Sequence, residues 1–432
     1  MNWLLIAILL AASIWLTASG LTRPGKVYEY PFLAGTTFIG FVLPQLPAFA
    51  DDPFLPEGAF AKTVIFTIFC SAACGAGWAA GNRPMRALAW RFDEQRLLWI
   101  AALLSLVGAF FYFKLSRLPR EVLSETQWTG LPVMYLFFAR LVGYGSDTAL
   151  LCFLRRPRAY SLALVLFGAV LLADRIVIGG RRQDLTQALL AILMAVWFQR
   201  RRAVSRAIAL TGALAAGMAL TSAGDYRSIT QSEDFKWSEV STVDLPGNFI
   251  RLLQRGGPEM RNAILLVNAS DQSLIFDFGI FHWNVLVFNY VPAQLVGHEF
   301  KDTLVLDAPG PDLLDYQPPT GSTETGMADA FASFWYFGAI KFFLIAYVLG
   351  RIYRAAMAGS TTAQLFYILS VVPGMMAITH HTQLILSVWV HMGIFLLPGL
   401  AFARVKGPTA NRRHCASLGR AWRETTEEEA LP

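Results

Sequence analysis

Near the middle of the chain, Gly179–Gly180–Arg181–Arg182–Gln183–Asp184 puts two guanidiniums beside two glycines. Glycine lets the backbone turn tightly, and a guanidinium can clamp phosphate oxygens with two parallel bonds. The competing account is an arginine pair that reaches lipid headgroups or pairs with Asp184. Asp174 and Arg175, just before the turn, read as an ion pair. Further on, Asp225–Tyr226–Arg227 brings another cation, and Arg251, Arg255 and Arg261 can extend the set. Taken singly, each of these is as well explained by a loop salt bridge. Together they match what a departing diphosphate needs, because its negative charge grows in the transition state.

A second group of residues can move protons. Glu324 and Asp329 lie in Thr323–Glu324–Thr325–Gly326–Met327–Ala328–Asp329, where a carboxylate can deprotonate an attacking hydroxyl. Asp329 is equally suited to the start of a helix, where the dipole favours negative charge. His380–His381 is a candidate base or phosphate ligand, or simply a polar turn. His391 lies mid-helix, as a functional imidazole or a satisfied core one. Arg140 and Asp147 share a helix face and can pair with each other or with other helices. The Walker lysine loop, zinc-type Cys/His spacing, the dinucleotide fingerprint and an Asp-x-Asp pair in the long polar segment are all absent. Metal-independent chemistry without a cofactor is the expectation.

These residues must be positioned by a membrane body. Hydrophobic residues make up 55% of the 432 and charged ones 15%, with a mean hydropathy of +0.45. A soluble globule carries roughly 25% charged residues. Of the four cysteines, none falls between 221 and 331, so no disulfide framework is expected there. The run Asn2–Ser19 lacks a basic start, and Ala18–Ser19–Gly20 only weakly mimics a cleavage site, so it reads as a retained first helix.

About eleven spans can be drawn: 2–20, 32–50, 60–80, 97–113, 131–153, 159–178, 185–198, 203–220, 332–350, 361–379 and 383–403. With that count, the arginine clusters after the third, fifth, seventh, ninth and last spans all fall on one side. The positive-inside rule makes that side cytoplasmic. The same rule accounts for the excess of Arg and Lys, so no nucleic-acid partner is expected. The N-terminus is then outside and the C-terminus inside. Segment 221–331 is outside as well. Up to Ala330 it holds 6 Lys/Arg against 15 Asp/Glu, net −9, in a chain of net +6, which leaves +15 elsewhere.

The domain expectation is therefore spans one to eight in 1–220, a large outer loop in 221–331, spans nine to eleven in 332–404, and a polar, disordered tail in 405–432. Within the loop, Leu245–Asn268 reads as two short amphipathic helices broken at Gly256–Gly257–Pro258. Leu274–Val296 reads as an interfacial or re-entrant aromatic stretch interrupted by Asp277, His282, Asn284, Asn289 and Pro292, and Pro309–Thr325 as an extended cover.

Two motifs carry a resemblance. Gly180–Arg181–Arg182 precedes the large loop. After it, Phe334–Trp335–Tyr336–Phe337–Gly338 leads to Leu349–Gly350–Arg351. In this layout, which covers nearly the whole chain, the sequence resembles the Wzy-type polymerases of bacterial surface polysaccharides, the O-antigen and oligosaccharide repeat-unit polymerases. The resemblance implies an all-α, GT-C-like membrane glycosyltransferase of the bacterial inner membrane with a periplasmic loop between helices eight and nine. It would transfer a growing glycan from undecaprenyl diphosphate onto a new lipid-linked repeat unit.

Carried onto this sequence, the resemblance gives Arg181, Arg182 and Arg227 the diphosphate, with Arg251 and Arg255 extending the set, and leaves the base open among Glu324, Asp329, His380 and His381. The implied partners are the lipid-linked oligosaccharide and the bilayer, with a chain-length regulator and a flippase. The near alternative is an O-antigen ligase acting on lipid A core. From other classes, a transporter or flippase for lipid-linked glycans would need charged or broken helices in both halves and usually inverted repeats. A lipid-phosphate mannosyltransferase would use Asp51 or Asp52, and a secretion-complex scaffold also stays open.

Overall fold

The computed structural model describes residues 1–118, 131–177, 181–205, 207–209, 211–212, 215, 217, 222–230, 236–308, 310–311, 313, 316–319 and 322–405, with backbone alone at 174, 182, 223, 227, 294 and 295. Among the described residues the regular structure is helical, and one isolated bridge joins Phe92 and Arg404. Nine helical segments there are long and apolar enough to cross a bilayer. The chain is an all-helical, multi-pass membrane protein.

The first half supplies α1 (Asn2–Thr22), α2 (Tyr30–Thr37), α3 (Ala59–Ala80), α4 (Glu94–Ser116), α5 (Leu131–Ala139), α6 (Leu141–Arg155), α7 (Ala159–Val177) and α8 (Arg182–Arg200). Beyond Thr37 the second span runs on through a π turn and short 3-10 turns to Phe49. Pro44 and Pro47 lie in those turns, and neither has an N–H for a regular ladder. The expected seventh span is present as α8, which is not among the nine because Arg182, Gln183, Asp184, Gln187 and Gln199 interrupt its apolar run. The expected eighth span, 203–220, and the tail from 406 onward lie largely or wholly outside the described residues.

The 221–331 segment contains α9 (Ala223–Thr230), α10 (Leu245–Arg255), α11 (Pro258–Ser273), α12 (Ile280–Tyr290) and α13 (His298–Leu304). The break between α10 and α11 falls at Gly256–Gly257, and Gly256 has φ of 70°. Helix α11 is firmly docked. Met260, Ala263, Ile264 and Val267 of α11 are fully buried, and their i, i+3, i+4, i+7 spacing makes one apolar face. Polar ties flank that face. Lys62 of α3 pairs with Asp271, and Arg261 lies 2.9 Å from Asp52 in the first connecting loop.

The last third comprises α14 (Gly326–Phe334), α15 (Ala339–Met357), α16 (Thr361–Thr379), α17 (Gln383–His391) and, after a π turn, α18 (Leu397–Ala403). Helix α14 begins inside the stretch expected as loop. Thr325 caps it by accepting the Ala328 N–H. Helices α3 and α15 approach closely because Gly77 and Gly81 face backbone. A Cβ at Gly77 would stand 2.1 Å from Phe343 O, and one at Gly81 2.5 Å from Tyr347 O. Helix α16 runs through the centre of the bundle, where Tyr30 Oη donates to Gly374 O at 3.0 Å and Tyr367 Oη to Tyr28 O at 2.8 Å.

Candidate functional site

The aromatic stretch Phe334–Gly338 breaks the ninth span. Trp335 has φ of 51°, a left-handed value that costs a bulky residue strain. Packing offsets part of it: Trp335 Nε1 donates to Asp271 Oδ1 at 2.9 Å. The break has a chemical consequence. In one continuous helix, positions 329 and 341 would be about 18 Å apart. Here Lys341 Nζ lies 3.3 Å from Asp329 Oδ1.

Asp329 is 5% exposed and fully engaged. Its Oδ2 accepts the backbone N–H of Thr382 at 2.7 Å and the Thr382 hydroxyl at 2.5 Å. Lys341 also donates to Ser333 Oγ at 2.8 Å, and Ser333 donates to Asp329 O at 3.0 Å. This carboxylate therefore ties α14, α15 and the turn between α16 and α17 together. Close backbone approach permits the tie, since a Cβ on Gly326 would stand 1.7 Å from Ala377 O at the end of α16.

The loop adds an imidazole. Asp277 and Phe278 donate their N–H groups to Ala332 O and Ser333 O at 3.1 and 3.2 Å, which pins the start of α12 to the end of α14. Asp277 also caps α12, accepting from Gly279 N and Phe281 N at 3.0 Å each. His282 is thereby placed over Asp329, with Nε2 2.9 Å from Thr382 Oγ1 and 3.7 Å from Asp329 Oδ1. Burial lowers the His282 pKa, and Lys341 and His381 add to that; Asp329 and Asp277 pull the other way without reversing it.

Among the expected bases, His381 joins this cluster. Its pKa is lowered by burial despite Asp329, and its ring packs against Phe281, which also flanks His282. His380 is occupied locally, with Nδ1 2.7 Å from Thr379 Oγ1. Glu324 is half-buried, and its pKa is raised by burial and then by the Asp329 charge. It forms no ion pair or hydrogen bond among the described residues. Sequence reading singled out neither His282 nor Lys341 as a site residue.

Family models, characterised proteins and solved structures were all compared with this chain, and none matches. The function therefore rests on the geometry and chemistry of the site.

The cationic turn lies at the same end of the bundle as the loop. Tyr226 Oη of α9 donates to Val177 O at the end of α7, at 2.6 Å. Arg175 pairs with Asp184 at 2.9 Å. Over a third of Arg181 stays solvent-exposed; even so, its pKa is lowered by burial of the rest and by Arg175 and Arg140, with Asp184 acting in the opposite direction. Gly179, Gly180 and the side chains of Arg182 and Arg227 lie outside the described residues. Arg251 donates to Asn248 Oδ1, and Asn248 donates to Ser222 Oγ and Asp225 Oδ2 at 2.9 and 2.8 Å. Arg251 and Arg255 are both exposed on α10. Arg261 belongs to the docking pair with Asp52 and not to the cationic set.

Two intramembrane residues are structural. His391 Nδ1 lies 2.8 Å from Tyr144 Oη and Nε2 3.2 Å from Phe137 O, so both ring nitrogens are satisfied. Asp147 faces Gln187 of α8 and makes no ion pair with Arg140. Arg140 instead acts electrostatically on Arg181 and Tyr290. Tyr290 also donates to Ser387 O, which anchors the far end of α12 to α17.

Proposed function

We propose that this protein polymerises lipid-linked oligosaccharide repeat units into a surface polysaccharide, transferring glycan from undecaprenyl diphosphate at the periplasmic face of the inner membrane. One observation carries the reading: α12 bridges a cationic site and a carboxylate–imidazole site at one end of a membrane bundle. Tyr290, at one end of α12, lies within the field of Arg140, which also acts on Arg181. His282 sits eight residues earlier on the same helix, about 12 Å along its axis, beside Asp329 and within the field of His381. A cationic group towards one end of this helix and an imidazole towards the other suit a sugar carried on a diphosphate.

In this reading Arg181, with Arg182, Arg227, Arg251 and Arg255, holds the diphosphate and stabilises the charge that develops as it leaves. The acceptor hydroxyl is deprotonated by a base of the Glu324, Asp329, His380 and His381 set or by a residue packed against it. Among the named bases, Asp329 is the least available, because Thr382 and Lys341 occupy its oxygens. Glu324 and His381 retain capacity. The acidic, aromatic 221–331 segment covers the site and binds the glycan. The arginine distribution between spans supports the periplasmic placement.

Deletion of the gene tests the reading. Single repeat units should remain on the lipid carrier or on lipid A core, and longer chains should disappear. Loss of all surface glycan, single units included, would point to a flippase or an early transferase.

A further inference from the structure

His282 carries a proton assignment that follows from its neighbours. The Thr382 hydroxyl donates to Asp329 Oδ2 at 2.5 Å, so its proton is committed. His282 Nε2 lies 2.9 Å from the same hydroxyl oxygen. A bare Nε2 would set two lone pairs against each other; a protonated one donates to Thr382 Oγ1. Lys341 Nζ also stands 3.3 Å from Nε2, with two of its three protons directed to Ser333 Oγ and Asp329 Oδ1; the 2.9 Å contact to Thr382 Oγ1 is the shorter of the two that Nε2 makes and sets its proton. The Nε2–H tautomer gives the Thr382 oxygen a donor while the hydroxyl's own proton stays on Asp329. In a neutral imidazole the other nitrogen then holds a lone pair.

That other nitrogen, Nδ1, is buried and has no hydrogen-bond partner among the described residues, and the same is true of His381 Nδ1 in the same cluster. A buried polar atom without a partner costs about 1–3 kcal/mol. Both imidazoles pack against the ring of Phe281, so two unpartnered ring nitrogens belong to one cluster, and a hydroxyl brought to either would satisfy it.

Resting on the glycosyl-transfer reading above, we propose that His282 is the general base, taking the acceptor sugar's hydroxyl proton on Nδ1, with Thr382 and Asp329 as positioning residues that fix the ring's tautomer. The acceptor oxygen forms the new bond to the donor sugar's anomeric carbon. The bond from that carbon to the diphosphate oxygen breaks, and its electron pair leaves with undecaprenyl diphosphate. The proton passes to Nδ1, and the imidazolium is stabilised by Asp329, 3.7 Å from Nε2, until it returns the proton to solvent. The groups facing His282 are Asp329 on α14, Lys341 on α15, His381 in the α16–α17 turn and Asp277 before α12. Their balance with burial keeps the ring neutral at neutral pH, so turnover should rise with pH through a value below the ordinary histidine range and then level off.

The test uses the full chain in lipid nanodiscs with undecaprenyl-diphosphate-linked repeat units extracted from a strain lacking the gene. His282→Gln keeps a donor towards Thr382 but has no basic nitrogen. It should lower turnover by about 10²- to 10⁴-fold, leave lipid-substrate Kd unchanged and abolish the acidic limb of the pH profile. Thr382→Ser should stay near wild type, while Thr382→Val should be impaired. A His282→Gln protein that keeps the acidic limb, whatever its rate, overturns the proposal, as does loss of that limb in Glu324→Gln alone. Wild-type activity in Thr382→Val overturns the positioning role even if His282→Gln does not fold. A wild-type protein that joins no units overturns the functional reading and this inference together, whereas a joining wild type isolates the inference.

Discussion

Lys341 and Asp329 are twelve residues apart in sequence and 3.3 Å apart in space, because the chain breaks between α14 and α15 at a left-handed Trp335. Their pairing holds the turn after α16 against the loop, so it links the packing of the bundle to the geometry of the site. Removing one member of such a buried pair leaves an uncompensated charge, which typically costs about 3–5 kcal/mol. Lys341→Met and Asp329→Asn should each lower the thermal midpoint of the detergent-purified protein. The double substitution should lower it by less than the two losses added. Strict additivity would show that the pair is not coupled.

Gly326 is the second support of this geometry. Its missing Cβ leaves room for Ala377 O, 1.7 Å from where that atom would stand. Gly326→Ala should destabilise by about 1–3 kcal/mol and also reduce activity, because α14 must move away from Thr382. The same purified variant can be assayed for both, and unchanged turnover would separate the site from this contact.

Much of the helical plan was legible. The apolar run at 60–80 became α3, Ala59–Ala80, and the glycine break in the loop separates α10 from α11. Gly77 and Gly81 stand four apart, a spacing that favours close helix packing, and they meet α15. The site was less legible. Lys341 is embedded in an apolar run that reads as ordinary membrane helix, and His282 reads as one polar interruption among aromatics. Their roles come from contacts that span 59 and 100 residues, Lys341 to His282 and His282 to Thr382. Periodicity reports only neighbours three or four positions away, so such meetings leave no local signature. Asp329 was legible because a carboxylate at the start of a helix is a local signal.

The loop's docking should respond to acid. Burial alone would raise the Asp271 pKa, but hydrogen bonds from Lys62 and Trp335 and the Lys62 charge bring it below the ordinary value. A depressed carboxylate contributes stability that is present above its unfolded pKa, near 3.9 in model peptides, and lost as pH falls through the lower folded value. Limited proteolysis between α11 and α12 should therefore accelerate only below about pH 4. Lys62→Met should move the onset to higher pH. An onset that does not move would remove the ion pair as the cause.

Glu324 should behave in the opposite sense. Its pKa is raised in the folded protein by burial and by Asp329, so the native state binds more protons than the unfolded one as pH rises past the ordinary carboxylate range, and stability falls there. Glu324→Gln should raise the thermal midpoint at neutral pH, and the gain should vanish below about pH 4, where the unfolded carboxyl is also protonated. A gain that persists in acid would have another origin.

The cationic turn makes a prediction of function. Arg181→Ala and Arg182→Ala should each leave protein levels normal and reduce chain extension roughly a hundredfold or more, the scale of losing one transition-state donor. Polymer of unchanged length would exclude them as the diphosphate clamp.

The most direct measurement is the reaction itself: the purified protein, incubated with an undecaprenyl-diphosphate-linked repeat unit and nothing else, followed by chain-length analysis of the lipid-linked product. The expected result is a ladder of products, each longer than the last by one repeat unit. Single units that stay single, or that move only when lipid A core is supplied, would contradict the polymerase.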